Sequence, residues 1–208
     1  VSDYNGYRNL VDEEFSLSVP TLWNKFPIID QLSPFLDERT YHRYLGQCLS
    51  LDNRVLLEHL SQLYEDSEMR DIMGVNARRE FTQKFDYRVI VPALEHLWRR
   101  RKEGFIKKTR KIRDPAAMHF SSVFEHYPTG FLSNTHTIKR SDFGTMWLEQ
   151  KSRYPMLFAM ESIFSWEQAE QALIDIAEPC TVGDFLARYA EESWKYQYMI
   201  SWLIKQGL

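Results

Sequence analysis

Between positions 52 and 98 the apolar residues recur at helical spacing. In NRVLLEHLSQLYED, Leu56, Leu57, Leu60 and Leu63 make one stripe, with Asp52 or Asn53 as N-cap. A second helix follows, capped by Asp66 or Ser67, with Glu68 close to its positive end and Met69, Ile72, Met73 and Phe81 on its apolar face. Asp86 opens a third, whose stripe is Val89, Ile90, Ala93, Leu94, Leu97 and Trp98. Two residues run against this regularity. Gly74, in mid-helix, costs about 1 kcal/mol relative to Ala. Pro92, inside the third helix, clashes with the carbonyl four residues back and removes a hydrogen bond.

The flanks are less regular. Val1-Ser2-Asp3 reads as the end of a strand, Asn5-Gly6 as a turn, Tyr7 to Val11 as a helical turn or two, and Leu17 to Pro20 as a short strand. That is the second half of a strand–helix–strand unit; a ragged N-terminal arm is the alternative. Two short strands do not make a stable sheet, so residues 1–20 are expected to be the least stable part. Residues 21–40, with two prolines, read as an ordered loop with short helical pieces, and from Tyr41 the helical period takes over. After Trp98 the run RRRKEGFIKKTRKIRDP holds nine basic residues. Beyond it come a strand pair around Thr135–Trp147, a helix near Trp166–Ala177, a helix capped by Thr181, and a last helix in KYQYMISWLIKQGL. Trp194, Tyr198 and Trp202, four apart, form an aromatic stripe suited to core packing.

Composition narrows the classes. A hydrophobic content of 44% over 208 residues is enough for a packed core. The net charge of -3 is too small to imply a nucleic-acid partner. No apolar run approaches the roughly 20 residues of a membrane span, and VSDYNGYRNL lacks a signal-peptide pattern. Cys48 and Cys180, far apart, read as buried thiols of a cytoplasmic protein. The six histidines (His42, His59, His96, His119, His126 and His136) show no metal spacing. Asp52 and Asp86 are explained as caps, Ser121-Ser122 lacks a nucleophile-elbow pattern, and Glu191-Glu192 belongs on a polar helix face.

One further pattern is more specific. Leu63, Glu65-Asp66, Met69-Arg70, Met73-Gly74 and Asn76-Ala77-Arg78, then Phe85-Asp86-Tyr87, resemble the closing helices of retaining glycosyltransferases of family 4. The start is similar to a segment of the same family at Ser2, Asp3, Asn5, Gly6, Tyr7, Arg8, Leu10, Val11, Val19 and Pro20. The two matches, in order, cover roughly residues 1–105. The chain departs from the family at Glu13-Glu14-Phe15-Ser16, where glycines are usual, and at Asn9, where an acidic residue is common.

The resemblance implies a mainly α chain with a few short strands. Residues 1–106 would be the incomplete Rossmann-like C-terminal half of a GT-B domain, 107–115 a basic linker, and 116–208 a helical, winged-helix-like α/β extension. It implies transfer of a sugar from a nucleotide-sugar donor to a glycan, lipid or small-molecule acceptor, with no bound metal or other cofactor. The family's segment with paired glutamates, eight apart, that grip the donor lies just upstream of the strand ending in Ser2-Asp3, so it is expected to precede this chain. The expectation is therefore the C-terminal part of a longer enzyme, inactive by itself; a stand-alone helical interaction module is the alternative. No catalytic residue is assigned. Asn5, Gly6, Tyr7 and Arg8 are the candidate substrate-binding residues, since a Gly-containing loop before a helix offers N–H groups to a phosphate and Arg8 adds charge. Expected partners are the donor, the absent N-terminal domain or a second copy, and an anionic membrane surface for the basic run Arg99–Arg113, which reads first as a solvated linker. In this picture Gly74 allows close backbone approach and Pro92 bends a crossover helix. Val89 and Ile90 face the C-terminal half, and Leu94, Leu97 and Trp98 face the other half or, without it, the aromatic extension or a second copy.

Overall fold

The structure, a computed structural model, describes residues 1–103, 120–150 and 160–208. It is mainly helical, with small sheets. A short 3-10 turn, Asn5–Asn9, lies between Ser2 and Val19, which form a parallel bridge. There follow β1 (Thr21–Trp23), α1 (Pro27–Leu32), α2 (Glu38–Gln47), β2 (Leu49–Leu51) and three helices: α3 (Asn53–Glu65), α4 (Ser67–Lys84) and α5 (Tyr87–Glu103). After them come α6 (Phe120–Val123), β3 (Gly130–Phe131), β4 (Thr137–Ile138), α7 (Asp142–Gln150), α8 (Trp166–Asp175), β5 (Cys180–Thr181), α9 (Val182–Ala187) and α10 (Ser193–Gln206).

The caps act where side-chain chemistry expects them. Asp52 accepts from the amides of Arg54 and Val55, Asp66 from Met69, and Thr181 from Asp184. Ser165 and Gln168 form a reciprocal capping box at α8. Arg70 turns back to the carbonyls of Leu63 and Tyr64, closing the C-terminal end of α3.

The sheets differ from the local pattern. Thr21–Trp23, expected in a loop, is the central strand of the order β2-β1-β3, antiparallel to β2 and parallel to β3. Three residues are too few to show a period of two, and both partners are remote in sequence. The strand pair expected within Thr135–Trp147 does not form. Thr137–Ile138 pairs instead with Cys180–Thr181, and Asp142–Gln150 is helical, its start held by Ser141 Oγ, which accepts from the Gly144 amide at 2.9 Å.

The core joins both ends of the chain. Trp23, Phe26, Ile29 and Cys48 pack with Trp147, Leu173, Phe185, Tyr198 and Trp202. Asp30, buried within α1, accepts from the amides of Phe120 and Ser121 at 3.2 and 3.4 Å and from Ser121 Oγ at 2.5 Å. It thereby supplies the α6 N-terminus with acceptors from another element. Buried Asn24 donates to the Gln197 carbonyl (2.9 Å) and to Ser201 Oγ (2.6 Å), fastening β1 to α10. Of the aromatic stripe on α10, Tyr198 and Trp202 are buried and Trp194 is exposed. The expected boundary at 107–115 lies outside the described residues, as do His119 and most of the basic run. On either side of it, β3 shares a sheet with β1, and α10 packs on β2 and α2.

α3, α4 and α5 stand apart from this core, and α3 and α4 bury no residue. Gly74 meets nothing within 4 Å of where a Cβ would stand, so it does not mediate the close approach expected of it. α5 continues through Pro92. Leu94, Leu97 and Trp98 are 41%, 49% and 65% exposed, and Val89 and Ile90 are exposed too. Among the described residues the extension does not cover this face.

Candidate functional site

Asn5, Gly6, Tyr7 and Arg8 sit together on the exposed 3-10 turn. Asn5 takes the left-handed conformation (φ +60°), and the following amide of Gly6 donates to its Oδ1. Asn tolerates this φ because its short polar side chain bonds locally. The Asn5 amide donates to the Tyr127 carbonyl at 3.1 Å, and Tyr4 packs edge-on against the Tyr127 ring. The turn is thus moored on the segment after α6.

Arg8 is already engaged. Its Nε donates to Asp3 Oδ1 at 2.5 Å, Nη2 to the Asp3 carbonyl at 3.4 Å, and Nη1 to the His126 carbonyl at 3.5 Å. Asp3 is the centre of the cluster. Its Oδ2 accepts from Thr129 Oγ1 at 2.9 Å, and its carbonyl accepts from Thr21 Oγ1 at 2.8 Å. Both side chains of the Asp3–Arg8 pair remain partly exposed, at 25% and 35%, so solvent screens the pair and leaves the outer guanidinium edge open to an anion. Tyr7 is 54% exposed. The arrangement is a binding surface: it offers a screened cation, a phenol and a fixed turn, and no nucleophile with an adjacent base.

Sequence reasoning brought Asn5 to Arg8 together correctly as one local turn. It missed Asp3, Thr21 and Thr129 as the groups that hold Arg8 in place. Thr129 carries no sequence signal, because it reaches the turn only through the packing of β3 beside β1. The other titratable groups of note are structural. Burial pushes the Cys48 thiol up to about 12. Burial, then the Asp30 charge and a hydrogen bond to it, pushes the Tyr41 phenol up to about 12. Among the described residues no cluster of His, Cys, Asp or Glu could hold a metal ion, and no helix is long and apolar enough to cross a membrane.

A cavity of about 580 Å³ lies on the other side of Thr21 and Thr129, bounded by β1–β3, β4 and α10. Compared with known proteins, the chain matches no family model, no curated protein and no solved structure.

Proposed function

We propose that this chain is the C-terminal, donor-side part of a retaining glycosyltransferase with a GT-B fold, acting on a nucleotide-sugar. The carrying observation is the parallel Ser2–Val19 bridge enclosing the Asn5–Asn9 turn, followed by the capped pair α4 and α5. In the proposed reading a Rossmann-like half would end in this way, and residues of the resemblance make contacts within it. Arg70 closes α3, Asp66 caps α4, and Asn76 Nδ2 donates to the Glu14 carbonyl at 3.0 Å, tying α4 to the loop before Leu17. In this reading the Asn5–Arg8 turn meets the donor diphosphate, and Arg8 shares its charge between Asp3 and a phosphate oxygen. In this reading the described residues after Phe120 belong to the same body as the donor half, since they share its core and its sheet.

Turnover needs the paired donor-gripping carboxylates, which this chain lacks, so the purified chain should bind nucleotide weakly and transfer nothing. The test is an NMR titration of the isotope-labelled chain with uridine diphosphate. Amide shifts at Asn5 to Arg8, lost in Arg8→Ala, are expected; an unmoved turn at millimolar ligand would reject the assignment. The rival reading is a stand-alone helical interaction module, and the exposed apolar face of α5 is what favours it. An unmoved turn together with capture of a protein partner by α5 would decide for it.

A further inference from the structure

The cavity between the two sheets has an unusual lining for a chain that is 14% aromatic: among the described residues no Phe, Tyr or Trp borders it. Its walls are aliphatic, with Leu22, Leu132, Ile138, Ile176, Leu203 and Ile204 among them. Flat ligands such as nucleobases and sugar rings are commonly held by aromatic faces, and this cavity has none to offer. Its volume, about 580 Å³, falls in the range of about 300–1,000 Å³ typical of small-molecule sites.

The polar groups at the lining include two nitrogen groups, on His136 and Lys139. Asp52, at the start of α3, accepts its two capping hydrogen bonds, of 3.0 and 3.1 Å, at Oδ1. His136 Nδ1 accepts from the Ser133 amide at 3.0 Å, so the neutral ring carries its proton on Nε2, which is left as a donor. Lys139 lines the cavity without a hydrogen-bond or ion-pair partner among the described residues. An aliphatic chamber with an unpaired ammonium and an imidazole N–H at its lining suits a ligand with an apolar chain and an anionic head.

The geometry points to a binding site for a small aliphatic monocarboxylate, its chain in the chamber and its carboxylate on Lys139 and His136. The site is separate from the Asn5–Arg8 turn, and either assignment can fail without the other.

Titration calorimetry with octanoate, decanoate and dodecanoate tests it, with decanol as the uncharged control. One saturable site is expected, tightening about fourfold per methylene, which is ~0.8 kcal/mol each. Lys139→Glu, an exposed substitution, should weaken decanoate at least tenfold and leave decanol within about twofold. Gly130→Phe should abolish binding of both. The nearest atom to a Cβ at Gly130 is Leu22 Cδ1 at 3.9 Å, so a Cβ fits there beside a wall of the chamber and the ring beyond it would take up chamber space. If Gly130→Phe fails to fold, the Lys139→Glu comparison still decides. Three results would overturn the proposal: no saturable dodecanoate site, affinity independent of chain length, or decanoate binding unchanged in Lys139→Glu. Decanoate binding retained in a folded Gly130→Phe would overturn it as well, by placing the ligand on another apolar surface such as α5.

Discussion

Cys48 and Cys180 are both free thiols, but their surroundings make them chemically unequal. Cys48 is 2% exposed in the core, and burial lifts its thiol to about 12. At about pH 8 its thiolate fraction is then on the order of a thousandfold below that of an ordinary thiol. A disulfide reagent should therefore label Cys180 first, and peptide mapping should find Cys48 modified only after unfolding; equal rates would mean that the core around α2 and α10 is open. Asp30 is the other single residue with wide reach. Asp30→Ala leaves the amides of Phe120 and Ser121 without their acceptor, at a cost of about 1–3 kcal/mol. Asp30→Asn, which keeps one acceptor oxygen, should lose less. Chemical denaturation of the two variants would show the order, and a neutral Asp30→Ala would refute the role.

At the scale of elements, two helical glycines show what tertiary contact adds to a propensity. A Cβ at Gly74 would meet open space, whereas a Cβ at Gly144 would stand 3.0 Å from Arg140 Cγ and 3.0 Å from the Leu208 carbonyl carbon. That stretch of main chain is held, because Ser141 Oγ donates to the Gly207 carbonyl at 2.6 Å and the Leu208 amide donates to the Leu203 carbonyl at 3.0 Å. Gly74→Ala should therefore stabilise the protein by up to about 1 kcal/mol. Gly144→Ala should destabilise it by about 1–3 kcal/mol through overpacking. Thermal midpoints of the pair, measured side by side, should move in opposite directions; a shared sign would overturn the assignment of contacts. The exposed α5 stripe follows the same logic. Its periodicity is an instruction to bury one face, and among the described residues no surface answers it.

The whole molecule divides by burial rather than by position in the sequence. Residues 19–51, 120–150 and 160–208 share the core, while α3 to α5 rest on local caps and a few side-chain ties such as Glu14 with Arg79. Hydrogen exchange should thus find the slowest amides in α10 and much faster ones in α4 and α5. The N-terminal arm, moored through Asp3, should be intermediate. Slow exchange along α5 in a proven monomer would contradict this. The molecule should also weaken in alkali. Unfolded, a thiol loses its proton near about 8.5 and a phenol near about 10, whereas Cys48 and Tyr41 hold theirs to about 12 when folded. Over that interval the unfolded chain binds fewer protons, so stability falls as pH rises. The contribution is present in full below about 8.5 and is lost on approaching about 12. Thermal midpoints should drop from about pH 8 to 10.5, less steeply in Tyr41→Phe; a flat profile would refute the shifts.

Sequence by itself determined the features whose causes lie within a few residues. Asp52, Asp66, Ser165 and Thr181 cap their helices because a short polar side chain can reach only its own next turn. The Asn5–Arg8 turn was legible for the same reason. Tertiary structure alone decided what depends on remote partners. Thr21–Trp23 became a central strand only because Leu49–Leu51 and Gly130–Phe131 came to lie on either side of it. Arg8 acquired a fixed position from Asp3, itself held by Thr129. Lys139 and His136 met the aliphatic walls of α10 only once β4 had paired with β5. Such contacts leave no period in the sequence, since each is set by packing free energy summed over the whole core and not by the propensity of the residues that make it.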